Sequence, residues 1–224
     1  MSSATTALRL AGLTLLLVAA SGLACGLQLL RAHHTGEASF GFLWWNLFLA
    51  WIPYLVSLLL VTMHAARARW WVLAPFGVVW LLFLPNAPYI LTDLIHVGAI
   101  GGVPLWFDLV MISAFAVTGL ALGLASLLLV HQIVAARLGS FAGWVMAIAS
   151  LGLSSIGIYL GRFPRFNSWD VLTDHEGLLA TVLGRLADPL GNEFLLAFAG
   201  AMTATLTLAY LATWYVGRGV VRAA

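Results

Sequence analysis

The stretch LWFDLVMISAFAVTGLALGLASLLLVH, from Leu105 to His131, determines the fold class of this chain. It is apolar over nearly its whole length and holds one charged residue, Asp108. A helix needs about 20 apolar residues to cross the hydrocarbon core of a bilayer. The sequence therefore predicts a membrane-spanning helix here.

Five further stretches are long enough, or nearly long enough, to cross a membrane. They are Leu8–Leu30, Gly41–His64, Trp70–Leu84 with an extension to Ile90, Phe141–Gly161 and Phe194–Gly217. The connections between them are short, except the one between the fifth and sixth spans. The predicted fold is all-α, a polytopic membrane helix bundle of about six spans. Residues 1–224 form a single integral membrane domain.

The composition excludes several classes of protein. Hydrophobic residues make up 62% of the chain and charged residues only 8%, whereas a soluble domain has about 25% charged residues. This composition excludes a soluble globular protein and a disordered one. The net charge is only +2, no basic run occurs, and nucleic-acid binding is therefore not expected. The single cysteine, Cys25, excludes a disulfide framework and a cysteine-based zinc site.

The charges predict an orientation. Six spans place both chain ends on one side, and arginines there outnumber those on the other side by six to four. The positive-inside rule then favours cytoplasmic termini. All eight acidic residues fall on the opposite side by the same counting of spans, so the two faces should differ in chemistry.

The third span should be interrupted. Trp70–Leu84 would reach only about 22 Å as a helix, and Pro85 and Pro88 follow it. Each proline lacks an N–H group and disfavours helical geometry in the residue before it. The helix is expected to break at Pro85–Pro88 and to face protein, because irregular backbone is not stable against lipid. Asn86 is placed to bond backbone groups that the break frees.

Asp93 and His96 follow the break and lie on one helix face. They could bind a metal, relay a proton or act as acid and base. They could also form a simple Asp–His hydrogen bond at a solvated helix end. Asp108 could be stabilised by the helix dipole. If it lies below the headgroups, it should face a partner or water.

The fifth span ends in a segment that mixes arginines with aromatic residues. Arg162 and Arg165 could snorkel within an aromatic belt. Alternatively, they could bind a lipid headgroup or a small anionic ligand, since guanidinium groups bind phosphate and carboxylate in bidentate fashion. Asn167 and Asp170 follow in the same segment.

By counting of spans, these polar residues share one face of the membrane and could form one pocket. Its predicted members are Asn86, Tyr89, Asp93, His96, Asp108, Arg162, Arg165, Asn167 and Asp170. The candidate metal ligands among them are Asp93, His96, Asp108 and Asp170. No cofactor motif is recognised, and neither is a metallohydrolase pattern. A structural network of salt bridges would explain the same cluster.

Three further expectations concern packing. The pairs Gly119/Gly123 and Gly157/Gly161 should hold the fourth and fifth spans close together. A short amphipathic helix from Glu176 to Leu186 should lie on the membrane surface between the fifth and sixth spans. His64 and His131 should snorkel at the ends of their spans.

The segments LPNAPYILTDL, from Leu84, and GRFPRFNSWD, from Gly161, resemble the recurrent segments of a bacterial family classed as domain of unknown function 1361. The resemblance covers about residues 45–173. It implies a helical domain in the bacterial inner membrane and supplies no substrate.

Three functions are consistent with these observations. The first is binding or transport of a small molecule or lipid headgroup in a polar pocket outside the cytoplasm, motivated by the interrupted span. The second is a non-catalytic scaffold or assembly factor. The third is a membrane enzyme acting on a lipid-linked substrate. The lipid bilayer is the one partner common to all three.

Overall fold

The computed structural model describes residues 3–98, 100–166, 176–177, 184 and 191–221. Its helices are α1 (Ser3–Thr35), α2 (Phe42–Ala65), α3 (Trp70–Phe83), α4 (Asn86–Tyr89), a 3-10 helix (Ile90–His96), α5 (Leu105–Leu138), α6 (Ser140–Arg162) and α7 (Glu193–Val221). Six helical segments are long and apolar enough to cross a membrane, and the third runs from Trp70 to His96. The predicted all-α class and the six spans are confirmed.

The longest span, α5, lies at the centre of the bundle. Most of its residues are buried, whereas α1 and α7 expose most of theirs. It packs against α1, α2, α4, the 3-10 helix, α6 and α7. Large apolar side chains such as Leu15, Leu16 and Leu208 are exposed on the outer helices, as expected for surfaces that meet lipid.

The interruption predicted in the third span is confirmed, and it takes the form of a bend. Leu84 and Pro85 keep right-handed helical dihedral angles, and the chain continues through α4 into the 3-10 helix. Asn86 Nδ2 donates a hydrogen bond of 3.0 Å to the carbonyl of Phe83, which is the bonding of freed backbone predicted for this residue. Ala87 and Pro88 are buried, so the bend faces protein.

The glycines of α5 and α6 allow the bent segment to pack closely. A Cβ atom on Gly119 would lie 2.7 Å from the carbonyl oxygen of Ala87, and one on Gly157 would lie 2.8 Å from Pro85 Cγ. A Cβ atom on Gly123 would lie 2.9 Å from Ala87 Cβ, and one on Gly161 would lie 3.3 Å from Tyr89 Cε2. The expectation that these glycines join the fourth and fifth spans is therefore corrected. Their close contacts are with the third span, where Pro85, Ala87 and Tyr89 lie too near these positions to leave room for a larger side chain.

The short helix predicted from Glu176 to Leu186 lies almost wholly outside the described residues.

Candidate functional site

The polar side chains form two arginine–aspartate pairs at what we call the acidic end of the bundle, the end that holds Asp93 and Asp108. Arg162 pairs with Asp93 at 3.0 Å, and Arg31 pairs with Asp108 at 2.7 Å. In the described part of the chain, no hydrogen bond joins one pair to the other. The residues expected in one pocket thus fall into two clusters.

The Arg31–Asp108 pair links the end of α1 to the first turn of α5. Arg31 Nε donates to Asp108 Oδ1, and Nη2 donates to the carbonyls of Ile100 and Gly101 at 2.8 and 3.1 Å. The guanidinium carbon lies 4.7 Å from the centre of the Phe40 ring. Asp108 is 1% exposed, and its carboxylate has the protein partner that a buried charge needs.

The Arg162–Asp93 pair links three spans. Asp93 lies in the 3-10 helix of the third span, and Arg162 is the last residue of α6. Asn46, in the first turns of α2, donates from Nδ2 to Asp93 Oδ2 at 2.8 Å. Both oxygens of the Asp93 carboxylate are thus occupied, and the residue is only 1% exposed.

Three further polar groups surround the rest of the Arg162 guanidinium. Nη2 donates to the Thr92 carbonyl at 2.9 Å and lies 3.2 Å from His96 Nε2, while Nη1 lies 3.4 Å from the Tyr89 hydroxyl. A guanidinium only donates, so His96 Nε2 can take part in this contact only as the acceptor. Arg162 lies between Asp93 and His96, and the Asp–His hydrogen bond considered from the sequence does not form between these two described residues.

The two pairs differ in exposure. The side chains of Arg31 and Asp108 are 0% and 1% exposed, whereas those of Arg162 and Asp93 are 13% and 1% exposed. The first pair is sealed inside the protein. In the Arg162–Asp93 pair, the negative Asp93 is buried and part of the positive Arg162 side chain is exposed at the protein surface.

The remaining residues of the predicted pocket lie elsewhere or outside the described residues. Arg165 follows α6, is exposed and has a φ of 68°. Asn167 and Asp170 belong to the segment that the structure does not describe. Within the described ranges, no group of three or more His, Cys, Asp or Glu side chains could hold a metal ion. The carboxylates of Asp93 and Asp108 are each engaged by an arginine.

Two residues of these clusters were not identified from the sequence. Arg31 appeared there only in the count of charges, and Asn46 not at all. A partner for Asp108 was required on energetic grounds, and Arg31 ends a span on the same face. These two facts together could have identified Arg31 as the partner of Asp108. Asn46 lies among aromatic residues near the start of a span, and nothing in its neighbourhood points to Asp93.

His131 does not snorkel, so this expectation is corrected. It is 3% exposed, and its Nδ1 lies 2.6 Å from the hydroxyl of Tyr210 on α7. Its ring meets Trp144 edge to face, and a Cβ atom on Gly143 would lie 2.6 Å from it. The absence of a side chain at Gly143 opens the space that the imidazole fills, which a count of residues along a span does not reveal.

We expect Tyr210→Phe to destabilise the protein by about 1–3 kcal/mol, because it leaves a buried imidazole nitrogen without its partner. The unfolding free energy in mixed detergent micelles measures this effect. Tyr215→Phe on the same helix is the control, since Tyr215 is 75% exposed, and it should change the free energy little. Equal effects from the two variants would contradict the assigned hydrogen bond.

A small cavity lies beside the bend of the third span. Its volume is about 10 Å³, roughly the room that one water molecule needs. It is lined mainly by leucines together with Pro88, Gly123 and Ser154. The Ser154 hydroxyl is buried and has no hydrogen-bond partner in the described part of the chain.

A family model described as "Protein of unknown function (DUF1361)" matches residues 45–209. The match begins in α2 and ends in α7, so it contains the Arg162–Asp93 pair and leaves Arg31 outside. Comparisons with curated proteins and with solved structures give no match.

Proposed function

The chain belongs to the DUF1361 family, as a multi-pass membrane protein, and we propose that it binds a small anionic ligand or an anionic lipid headgroup at Arg162. The acidic end would face away from the cytoplasm, in the orientation that the distribution of arginines favours. If the protein is a transporter, this site is where its substrate would enter from outside.

The difference in exposure within the Arg162–Asp93 pair carries this proposal. Asp93 is buried and anchors one edge of the guanidinium, while Arg162 keeps 13% of its side chain exposed. Part of the positive group is therefore accessible to an anion, whereas the carboxylate that neutralises it is not. Guanidinium groups bind carboxylate and phosphate through hydrogen bonds. An anion would replace the two longest contacts of Arg162, those to the Tyr89 hydroxyl at 3.4 Å and to His96 Nε2 at 3.2 Å.

The surroundings of Arg162 also favour binding. The Asp93 carboxylate, the Thr92 carbonyl and the Tyr89 hydroxyl hold the guanidinium in one orientation. A side chain that is already ordered loses less conformational entropy when a ligand binds. Tyr89 and His96 add polar groups beside the guanidinium, and the His96 ring packs against the Phe42 ring.

The test compares two double variants that each remove one ion pair without leaving a lone buried charge. Asp93→Asn/Arg162→Gln removes the proposed site, and Asp108→Asn/Arg31→Gln is the matched control. Inorganic phosphate and dihexanoyl phosphatidylglycerol are titrated into the purified chain in uncharged detergent, and the unfolding temperature is followed, because a ligand that binds the native state raises it.

We expect the wild type and the control pair to be stabilised by at least one probe, and Asp93→Asn/Arg162→Gln to lose at least about tenfold in affinity, the equivalent of one charge-assisted hydrogen bond of about 1.4 kcal/mol. The probe whose affinity falls in Asp93→Asn/Arg162→Gln and not in the control pair shows whether a free anion or a headgroup is bound at Arg162. Equal affinity in the two double variants, or no response of the wild type to either probe, would reject the proposal.

A structural scaffold is the second candidate, and the Arg31–Asp108 pair favours it. That pair is fully buried and ties α1 to α5 and to the loop before it. If the Arg162–Asp93 pair has the same structural role, the two double variants should alter stability alike and leave ligand affinity unchanged.

A further inference from the structure

The end of the bundle opposite to Asp93 and Asp108 carries a turn rich in arginine, His64-Ala-Ala-Arg-Ala-Arg-Trp-Trp71, which we call the basic turn. It closes α2 with two backbone hydrogen bonds, from Ala68 N to Met63 O and from Arg67 N to His64 O, at 3.0 and 2.9 Å. This pattern is the Schellman motif, whose left-handed residue is usually glycine. Here that residue is Arg67, with a φ of 56°.

A residue with a side chain is strained in this conformation, and glycine would form the same turn without strain. Strained positions tend to occur at functional sites, where the side chain serves another purpose. The side chain of Arg67 is exposed. Its guanidinium therefore lies at the surface. The backbone strain at this position is not needed to form the turn, because glycine would form it without strain.

Two more guanidinium groups lie close by, one from α5 and one from the basic turn itself. Arg137, in the last turn of α5, donates from Nε to His64 Nδ1 at 2.9 Å and from Nη2 to the Ala68 carbonyl at 2.8 Å. Ala68 stands between Arg67 and Arg69, so Arg137 reaches into the middle of the basic turn. The guanidinium carbon of Arg69 lies 4.7 Å from the centre of the Trp71 ring.

Among the described residues, no Asp or Glu forms a salt bridge with Arg67, Arg69 or Arg137. Neither residues 64–71 nor residues 137–141 contain Asp or Glu, and the contacts of Arg137 in the turn are with a neutral imidazole and a carbonyl. This arrangement contrasts with the acidic end, where Arg31 and Arg162 are both paired with carboxylates.

The neighbouring side chains place the basic turn at the membrane surface. Trp70 and Trp71 are 70% and 50% exposed, and Phe141, beyond the turn between α5 and α6, is 83% exposed. Exposed tryptophans at the ends of membrane helices lie at the level of the lipid headgroups. The three arginines are therefore at the depth of the lipid phosphates.

We infer that the basic turn binds the phosphate group of an anionic phospholipid, through Arg67, Arg69 and Arg137. Clusters of arginine next to membrane spans attract anionic headgroups, and the guanidinium group suits the oxygens of a phosphate. The exposed aromatic rings would contact the glycerol and the upper acyl chains, so a lipid fits this surface better than free phosphate does. The site is independent of Arg162.

Native mass spectrometry of the purified full chain in uncharged detergent tests this inference. Phosphatidylglycerol, phosphatidylcholine and inorganic phosphate are the probes. We expect preferential binding of phosphatidylglycerol, and a loss of about fivefold in its affinity for each of Arg67→Gly and Arg137→Gln. Arg67→Gly should also unfold at the same temperature as the wild type or a higher one, because glycine suits the left-handed position.

Arg9→Gln is the matched control, since Arg9 is an exposed arginine near the start of α1, at the same end of the bundle. It should stay within about twofold of the wild type, because a charge outside the turn contributes only screened attraction. Three results would each overturn the inference. They are wild-type affinity in Arg67→Gly, equal binding of phosphatidylcholine, and a loss in Arg9→Gln as large as in Arg137→Gln. Equal binding of inorganic phosphate would identify an anion site in place of a lipid site.

Discussion

Arg31→Met is expected to destabilise the protein by about 3–5 kcal/mol, the cost of leaving one partner of a buried ion pair without the other. The variant would strand the Asp108 carboxylate in a place where it is 1% exposed. It would also remove the donors to the carbonyls of Ile100 and Gly101. The unfolding free energy in mixed micelles and the yield of folded protein should both fall.

The double variant Arg31→Met/Asp108→Leu separates the lone charge from the loss of arginine. Replacing both members of a buried pair by apolar residues is often close to neutral, so the double variant should recover most of the stability that Arg31→Met loses. If the double variant is as unstable as Arg31→Met, the loop contacts of Arg31 matter more than its charge. If Arg31→Met unfolds like the wild type, the pair has no structural role.

Gly119→Ala is expected to cost about 1–3 kcal/mol, because the added methyl group overlaps a rigid neighbour. Its Cβ atom would lie 2.7 Å from both the Ala87 carbonyl oxygen and Ile90 Cδ1. The backbone oxygen cannot move aside without shifting the bent segment of the third span. Because that segment carries Asp93, the geometry of the Arg162–Asp93 pair should also change.

Gly22→Ala in α1 is the matched control, since a Cβ atom there would meet nothing within 4 Å. Alanine is the better helix former by about 1 kcal/mol, so this variant should be as stable as the wild type or more so. Thermal unfolding of the two variants in the same detergent makes the comparison. Similar unfolding temperatures for both would contradict the close approach of α5 to the bend.

Local sequence features predicted several elements correctly because short-range physics governs them. Pro85 and Pro88 lack amide hydrogens, so the interruption of the third span follows from the residues themselves. Asn86 bonds the carbonyl of Phe83, three residues before it, and a contact that close in the chain needs no knowledge of the fold. The length of each apolar stretch likewise predicted which segments form helices long and apolar enough to cross a membrane.

The partners of the charged residues could not be predicted in this way. Arg31 and Asp108 are far apart in the chain, as are Arg162 and Asp93, and several pairings satisfy the same count of spans. Counting spans assigns each residue to one side of the membrane. It does not show which helices are neighbours or which way each helix is rotated, so it cannot show which residues are in contact. It therefore suggested one pocket where the structure has two pairs that differ in exposure.

The sequence by itself determined that this is a helical membrane protein of six spans, where its third span bends, and which chemistry each end carries. These properties depend on the free-energy cost of placing polar groups in lipid. Each segment must avoid that cost through its own residues and its own backbone hydrogen bonds. Only the tertiary structure decided that the glycines of α5 and α6 pack against the bent third span and that His131 is buried against Tyr210. It also decided that the Arg162 side chain is partly exposed while that of Arg31 is fully buried. Those outcomes depend on how helices rotate and approach one another, which is a property of the packed bundle as a whole.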